Sequence, residues 1–258
     1  MQPLKAMSAS VRKGIRTLFT DIDDTITTEG RVPGEAFSAL WRAHEAGLAV
    51  VLVTGRPAGW CDHFARMWPV KAVVGENGAL CFSLQNKQMT RIYAPRPEDA
   101  KERLARIQKE VLHEVPRARV SADQAYRAYD LAIDFAEEVD PPLDAAAIDK
   151  IVSIFVDHGA QAKVSSIHVN GWFGDHDKLS MCRRWSETVY RHPLDVDRAI
   201  YVGDSPNDEP MFEAFPHACG VANVRRFVDR MKTLPAYVAA SEGGVGFAEI
   251  IDAILEVR

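Results

Sequence analysis

Short apolar runs alternate with amphipathic stretches along both ends of the chain. Ile15 to Thr20 and Ala49 to Val53 read as strands, and Ala72 to Val74 as a shorter one. Between them, Glu35 to Ala46 carries Phe37, Leu40 and Trp41 at helical spacing, after Pro33-Gly34 and before Gly47. A second helix, Ala58 to Met67, follows Thr54-Gly55-Arg56-Pro57, where Gly55 permits a tight turn and Pro57 suits a first helical turn. Strands alternating with helices, without hairpin signals between them, predict a parallel sheet with right-handed crossovers. The alternation returns with helix Lys178 to Tyr190, strand Ala199 to Val202, helix Asn207 to Phe215, strands Cys219 to Val221 and Ala236 to Ala239, and helix Phe247 to Leu255.

From about Cys81 to His168 the pattern changes. Pro97 opens a charged helix, Glu98 to Val115, whose charges form the wet face of an amphipathic element. Tyr129 to Phe135 alternates like a half-buried strand, Leu143 to His158 is helical after Pro141-Pro142, and short strands fall near Gln161 to Val164 and Ser166 to Val169. The expected fold class is therefore α/β: a doubly wound, Rossmann-like parallel-sheet core in residues 1–82 and 169–258, with an inserted α+β unit in 83–168.

The 258 residues, 47% hydrophobic and 26% charged, suffice for a sizeable core. Thirty-one Lys and Arg against 36 Asp and Glu leave a net charge of −5, without the basic excess that nucleic acid requires. No apolar run approaches the roughly 20 residues of a membrane span. Met1 to Gly14 lacks the apolar stretch of a secretory signal and is expected to be a frayed tail of a cytoplasmic protein. Cys61, Cys81, Cys182 and Cys219 lie far apart and read as buried, reduced thiols. Nothing in the sequence fixes an oligomeric state.

In a doubly wound sheet, ligands sit at the carboxyl ends of the strands, so polar residues directly after apolar runs are the candidates. Three groups qualify: Asp21-Ile22-Asp23-Asp24-Thr25, Thr54-Gly55-Arg56, and Gly203-Asp204-Ser205-Pro206-Asn207-Asp208. Gathered at one edge, their carboxylates call for a neutralising cation, and hard oxygen ligands in an open site point to Mg²⁺. Such an ion completes its shell with water and substrate phosphate, and Lys178 is placed to balance remaining phosphate charge. Phosphoryl transfer is the chemistry this combination serves.

In this order the residues resemble the four motifs of the haloacid dehalogenase superfamily: Asp21 to Thr25 its DxDxT, Thr54 its second, Lys178 its third, and Gly203 to Asp208 its GDxxxD. Gly75-Glu76-Asn77-Gly78-Ala79 and the insertion are similar to the subfamily IIB, Cof-like and sugar-phosphatase group, with a C2B-type cap. The resemblance implies Asp21 as nucleophile, forming an aspartyl phosphate, and Asp23 as acid and base. It implies Thr54 and the adjacent Gly55 amide as phosphate ligands, Lys178 as charge stabiliser, and Asn207 as an orienting group. Mg²⁺ would be held by Asp21, the Asp23 carbonyl and Asp204, with Asp208 assisting directly or through water. The implied substrate is a small phosphorylated metabolite, a sugar phosphate or phosphoglycerate-linked sugar; a phosphomutase and a non-catalytic phosphometabolite sensor are the alternatives. Leu179 departs from the glycine that often follows the third-motif lysine.

Asp24 occupies a free position of the motif and reads as a solvated turn residue, and Arg56 as a surface or ion-pair residue rather than a catalytic one. Asp175 and Asp177 are rival caps for the helix at Lys178. In the insertion, Arg127 and Asp130 are expected to face the site, Arg127 suiting a second anionic or hydroxyl-rich group. His168 to His176 is rich in ligand-capable groups but equally resembles a hinge.

Overall fold

Every apolar run at the chain's ends enters one sheet. The computed structural model describes residues 1–258, and its nine-stranded sheet runs in the order Gln2–Pro3, Tyr237–Val238, Cys219–Gly220, Ala199–Gly203, Thr17–Thr20, Ala49–Val53, Ala72–Gly75, Leu80–Gln85 and Gln88–Tyr93. All neighbours are parallel except at the Leu80–Gln85 and Gln88–Tyr93 edge. The central strands are near-continuous apolar runs because both faces are covered. Leu18, Val50, Leu52, Ile200 and Val202 meet helices Gly34–Glu45 and Gly243–Leu255 on one side. Phe19, Val51, Val53 and Tyr201 meet Lys178–Trp185 and Glu209–Ala214 on the other. Each fully buried Leu, Val or Phe contributes about 1.5–3 kcal/mol, so packing holds the helices against the sheet. No helix is long and apolar enough to cross a membrane.

A second sheet, Arg119–Val120, Leu131–Asp134, His168–Trp172 and Gln161–Val164, is wholly antiparallel. Helices Ala100–Glu114 and Ala145–Asp157 cover it through a separate core containing Ile107, Val111, Ile133, Ile151 and Phe155.

Three expectations need correction. The core edge ends in a hairpin, because Asn86 and Lys87 both take positive φ (48° and 64°) in the two-residue turn between Gln85 and Gln88. That hairpin belongs to the larger sheet, and His168–Trp172 belongs wholly to the smaller one, so cuts at 83 and 168 would divide strands from their partners. The N-terminus is ordered: Gln2–Pro3 pairs with Tyr237–Val238, Met7 is buried, and Ser8 caps a helix at Ala9–Gly14. The four cysteines are buried and unpaired, as expected.

Candidate active site

Strands Thr17–Thr20 and Ala199–Gly203 lie side by side, with Thr20 opposite Val202. Later strands extend the sheet in opposite directions from this pair, so its carboxyl end is the switch point where a doubly wound sheet opens a crevice. Asp21 and Asp204 follow the two strands directly. Gly203 is required here, since a Cβ would lie 2.3 Å from Asp208 Oδ2. Lys178 arrives from across the sheet on a helix whose N-terminus is fixed by Asp177, which accepts from the Ser180 amide at 2.6 Å. Asp177 thus wins the capping role over Asp175.

One oxygen from each of Asp21, Asp204 and Asp208 falls within 4.8 Å of the others, and all three side chains are buried. Lys178 Nζ donates to Asp208 Oδ1 at 2.6 Å and to Asp21 Oδ1 at 3.3 Å. One ammonium cannot neutralise three carboxylates. Burial first, then the charges of Asp208 and Asp23, outweigh Lys178 and push the Asp21 carboxyl up to about 8. Burial and the charges of Asp208 and Asp21 likewise raise Asp204. Burial disfavours the Lys178 ammonium, but Asp208 and Asp21 more than offset it and raise its pKa.

The donor set fits a hard cation unevenly. Both Asp208 oxygens are occupied: Oδ1 accepts from Lys178 and from the Tyr201 hydroxyl at 2.5 Å, Oδ2 from the amides of Asp204 and Ser205 at 3.0 and 3.4 Å. Asp204 accepts only from Thr25 Oγ1 at 3.2 Å and Asn223 Nδ2 at 3.4 Å, and Asp21 only from Lys178. Asp21 and Asp204 therefore keep lone pairs for a metal, whereas Asp208 acts on Lys178 and its own loop.

Asp23 stands outside this trio. Its carboxylate is gripped by Arg56, with Nε at 3.0 and 3.1 Å and Nη2 at 2.8 Å. The same Nη2 donates at 2.8 Å to Glu137, three residues beyond the smaller sheet's strand Leu131–Asp134. Arg56, only 5% exposed, is therefore an ion-pair residue and not a surface one, and it joins the two units. Gly55 and Asn207 line a small cavity with Asp21 and Asp23, roofed by Ser165, Ser166 and His168. Its volume is about 20 Å³. Thr54 is fully buried beside it, its hydroxyl oxygen accepting from the Arg56 amide at 3.0 Å. Asn207 Oδ1 takes the Ser205 hydroxyl at 2.8 Å rather than contacting Lys178.

Arg127 and Asp130 do not face this cavity. The Arg127 side chain has no exposed surface; it donates to Asp123, to Asp130 and to the Gly55 carbonyl at 2.9 Å. Asp130 is completed by Asn170 Nδ2 at 2.9 Å. With their hydrogen-bonding groups spent on one another, these two tie the units together instead of reading a ligand.

Two contributors, Tyr201 and Asn223, gave no local sequence signal, and two more, Thr25 and Glu76, were marked only as members of a motif. Tyr201 is an apolar-face residue of a strand whose hydroxyl happens to reach Asp208, and Asn223 arrives on a distant turn to bond the Asp24 carbonyl at 2.7 Å. Asp24 itself holds positive φ (54°), consistent with a turn role. Thr25 is visible only as the last residue of its motif. Glu76 accepts the Ala58 amide and the amides of Ala128, Tyr129 and Asp130 across the junction, at 2.6–3.0 Å.

A model of haloacid dehalogenase-like hydrolases matches residues 18–140. A phosphoglycolate phosphatase of Methanothrix thermoacetophila is 28% identical over 92% of this chain and 96% of its own. A crystal structure from Thermoplasma acidophilum superposes with a TM-score of 0.74 at 21% identity, covering 95% of this chain and 99% of that one. A haloacid dehalogenase subclass IIB sugar phosphatase superposes with a TM-score of 0.65 at 13% identity, over 93% and 98% of the two chains. With both carboxylate motifs meeting at the switch point of the sheet, the chain resembles the haloacid dehalogenase-like hydrolases over its first half and shares the fold of these structures over nearly its whole length.

Proposed function

We propose that this hydrolase is a Mg²⁺-dependent phosphatase that cleaves a compact phosphate monoester through an aspartyl phosphate on Asp21. The observation that carries the proposal is the pairing of Asp21 with Lys178 at 3.3 Å beside Asp204, with Asp23 two residues on and fixed in place by Arg56. Asp21 attacks phosphorus, the ester P–O bond breaks, and the departing alkoxide takes a proton from Asp23. Water then attacks the phosphorus of the acyl phosphate, giving its proton to Asp23; inorganic phosphate leaves and Asp21 is restored. Lys178 stabilises charge on nucleophile and phosphoryl group, while the Gly55 amide and Asn207 border the space for the phosphoryl oxygens. Asp21 and Asp204 would hold the ion, which offsets the combined negative charge of carboxylates and phosphate.

A cavity of about 20 Å³ has room for little more than one water molecule, so the roof at Ser165 to His168 must lift to admit substrate and closes best over a short leaving group. Together with the archaeal phosphoglycolate phosphatase relative, this favours a phosphorylated hydroxy acid. A second reading, a sugar phosphate, rests on the adjoining cleft of about 650 Å³, which shares Ser165, Ser166 and Ser205 with the cavity. Phosphate release should be measured with Mg²⁺ across 2-phosphoglycolate, phosphoglycerates, hexose phosphates and an aryl phosphate. The highest kcat/KM is expected on a short hydroxy-acid phosphate. A maximum on hexose phosphates selects the second reading, and transfer to sugar without phosphate release, or binding without turnover, would overturn both.

A further inference from the structure

Two chain segments cross between the larger and the smaller sheet: the one leaving Tyr93 and the one following Trp172. A cavity of about 630 Å³ lies against both, lined by Pro95 and Arg96 of the first and Phe173 and His176 of the second. It shares no lining residue with the cavity at Asp21.

Three guanidinium groups line it, from three places in the fold. Arg96 sits on the first crossing segment, Arg103 in the opening turns of helix Ala100–Glu114 of the smaller unit, and Arg184 on helix Lys178–Trp185 of the larger. Each is anchored through one N–H on a backbone carbonyl: Arg96 on Ala128, Arg103 on His158 at 3.1 Å, and Arg184 on Tyr93 at 2.9 Å. Arg96 also lies over the Tyr129 ring at 4.2 Å and Arg103 over Phe173 at 3.7 Å. None of the three forms an ion pair, although carboxylates outnumber cationic side chains in this protein and Arg12, Arg42, Arg56, Arg66, Arg91, Arg127 and Arg226 all have carboxylate partners. The one acid among the lining residues, Asp175, is exposed and unpaired.

His176 lines the same cavity, 8% exposed, stacked on Trp172 at 5.5 Å, and with no hydrogen bond to either ring nitrogen. Burial pushes its pKa down, so the ring stays neutral and offers one donor and one acceptor. A buried imidazole with no partner is costly unless something supplies one.

Anchored guanidiniums have little freedom left to lose, and their remaining N–H groups match the paired oxygens of phosphate and carboxylate groups. We propose that this hinge cavity is a binding site for a small, multiply charged oxyanion, of the phosphate or polycarboxylate class, held by Arg96, Arg103 and Arg184 with His176. Because those arginines come from a crossing segment and from both units, a bound anion bridges the junction and restrains the movement of one unit against the other.

Titration calorimetry on the full, chelator-treated chain tests the site, with inorganic phosphate and citrate as separate probes. Arg96→Gln/Arg184→Gln changes two exposed side chains, and its thermal midpoint should match that of the parent. It should weaken anion binding by about tenfold or more, the loss of about 1.4 kcal/mol or more. Lys178→Met, which removes the cation of the other site, should leave this affinity unchanged. Amide exchange at Ala94, at Arg96 and in residues 173–176 should slow when the anion is added. Binding of either probe on these terms sustains the site, and the tighter one names its class. Absence of millimolar binding by both, equal binding by the double variant, or loss of binding in Lys178→Met alone would overturn it.

Discussion

Arg56→Lys is the most informative single change, because it keeps the charge and removes the fork. Arg56 makes contacts of 3.0, 3.1 and 2.8 Å to Asp23 and one of 2.8 Å to Glu137. A lysine nitrogen cannot span both carboxylates in that geometry, so about two charge-assisted hydrogen bonds are lost, each about 1.5–3 kcal/mol when fully buried. The Asp23 and Glu137 side chains are 21% and 31% exposed, so water recovers part of that. Loss of stacking on Trp60, 4.6 Å away, adds a smaller amount. The expected destabilisation is about 2 kcal/mol, read as a lower urea midpoint. Asp23 loses its fixed orientation, and hydrolysis of an alkyl phosphate should fall by about 10²-fold, the scale of a misplaced proton donor. The acid limb carries a further signature. Burial raises Glu137, but His168 and Arg56 outweigh it and hold it near 2, below its ordinary 4.5. A depressed acid contributes stability that is present above the ordinary value and lost as pH falls through the folded one, so the variant should lose less of its stability below about pH 4. An unchanged midpoint with an unchanged rate would refute the bridge, and a lowered midpoint with an unchanged rate would confine Arg56 to structure.

Asp21→Asn should abolish turnover and phosphoenzyme labelling without lowering thermal stability, since it removes a carboxylate that burial already disfavours; residual phosphate release near the parent rate would remove Asp21 as nucleophile. Asp204→Asn should raise the Mg²⁺ concentration needed for half-maximal rate, whereas Asp208→Asn should lower kcat with that concentration little changed, because Asp208 spends its oxygens on Lys178, Tyr201 and backbone amides; identical metal titrations for the two would contradict this division. With chelator, Asp21 goes from its ordinary 3.8 to about 8 on folding, a raised acid whose contribution is full below about pH 4 and lost as pH climbs to about 8. Melting temperatures should therefore fall over that range, with Mg²⁺ restoring more at the alkaline end; a flat profile would show that the carboxylates are not crowded. Gly78→Ala puts a Cβ 2.0 Å from the Asp177 carbonyl at a φ of +102°, and should cost about 3 kcal/mol and reduce kcat by displacing Lys178, as denaturation and steady-state assays would show.

The core site was legible because each of its parts sits where an apolar run stops. Asp21, Thr54 and Asp204 each follow a strand directly, and a parallel sheet brings such ends together whatever the loops do. Residues that act across the fold left a weaker mark or none. Tyr201 is indistinguishable in sequence from a core aromatic, and Glu76 and Asn223 gain their roles from segments some fifty and two hundred residues away in the chain. Arg127 was misread because the expected strand begins only at Leu131: Arg127 directly follows the short helical turn Gln124–Tyr126, and its side chain turns onto Asp123, Asp130 and the Gly55 carbonyl. The edge hairpin stayed hidden because its turn is Asn86-Lys87, with lysine at a position where glycine is the usual signal.

The junction between core and cap is built from charge, and that bears on how the enzyme must work. Asp23, Arg56 and Glu76 on one side meet Asp123, Arg127, Asp130 and Glu137 on the other, so four carboxylates share two guanidiniums and a fifth, Glu76, accepts only backbone amides. Burial and the Asp130 charge push Glu76 up to about 7 even with four amides directed at it. An apolar joint of this size would lock, whereas hydrogen-bonded charges exchange their partners for water on separation at modest net cost. Separation is what the chemistry demands, since the closed cavity of about 20 Å³ cannot admit a phosphate ester. If the proposed function holds, the buried carboxylates at Asp21, Asp204 and Asp208 would also repel a phosphate dianion until a cation offsets them. On the proposed reading, closure over a phosphate ester without metal would be disfavoured by the charges of Asp21, Asp204 and Asp208, a group of acids distinct from those that hold the junction.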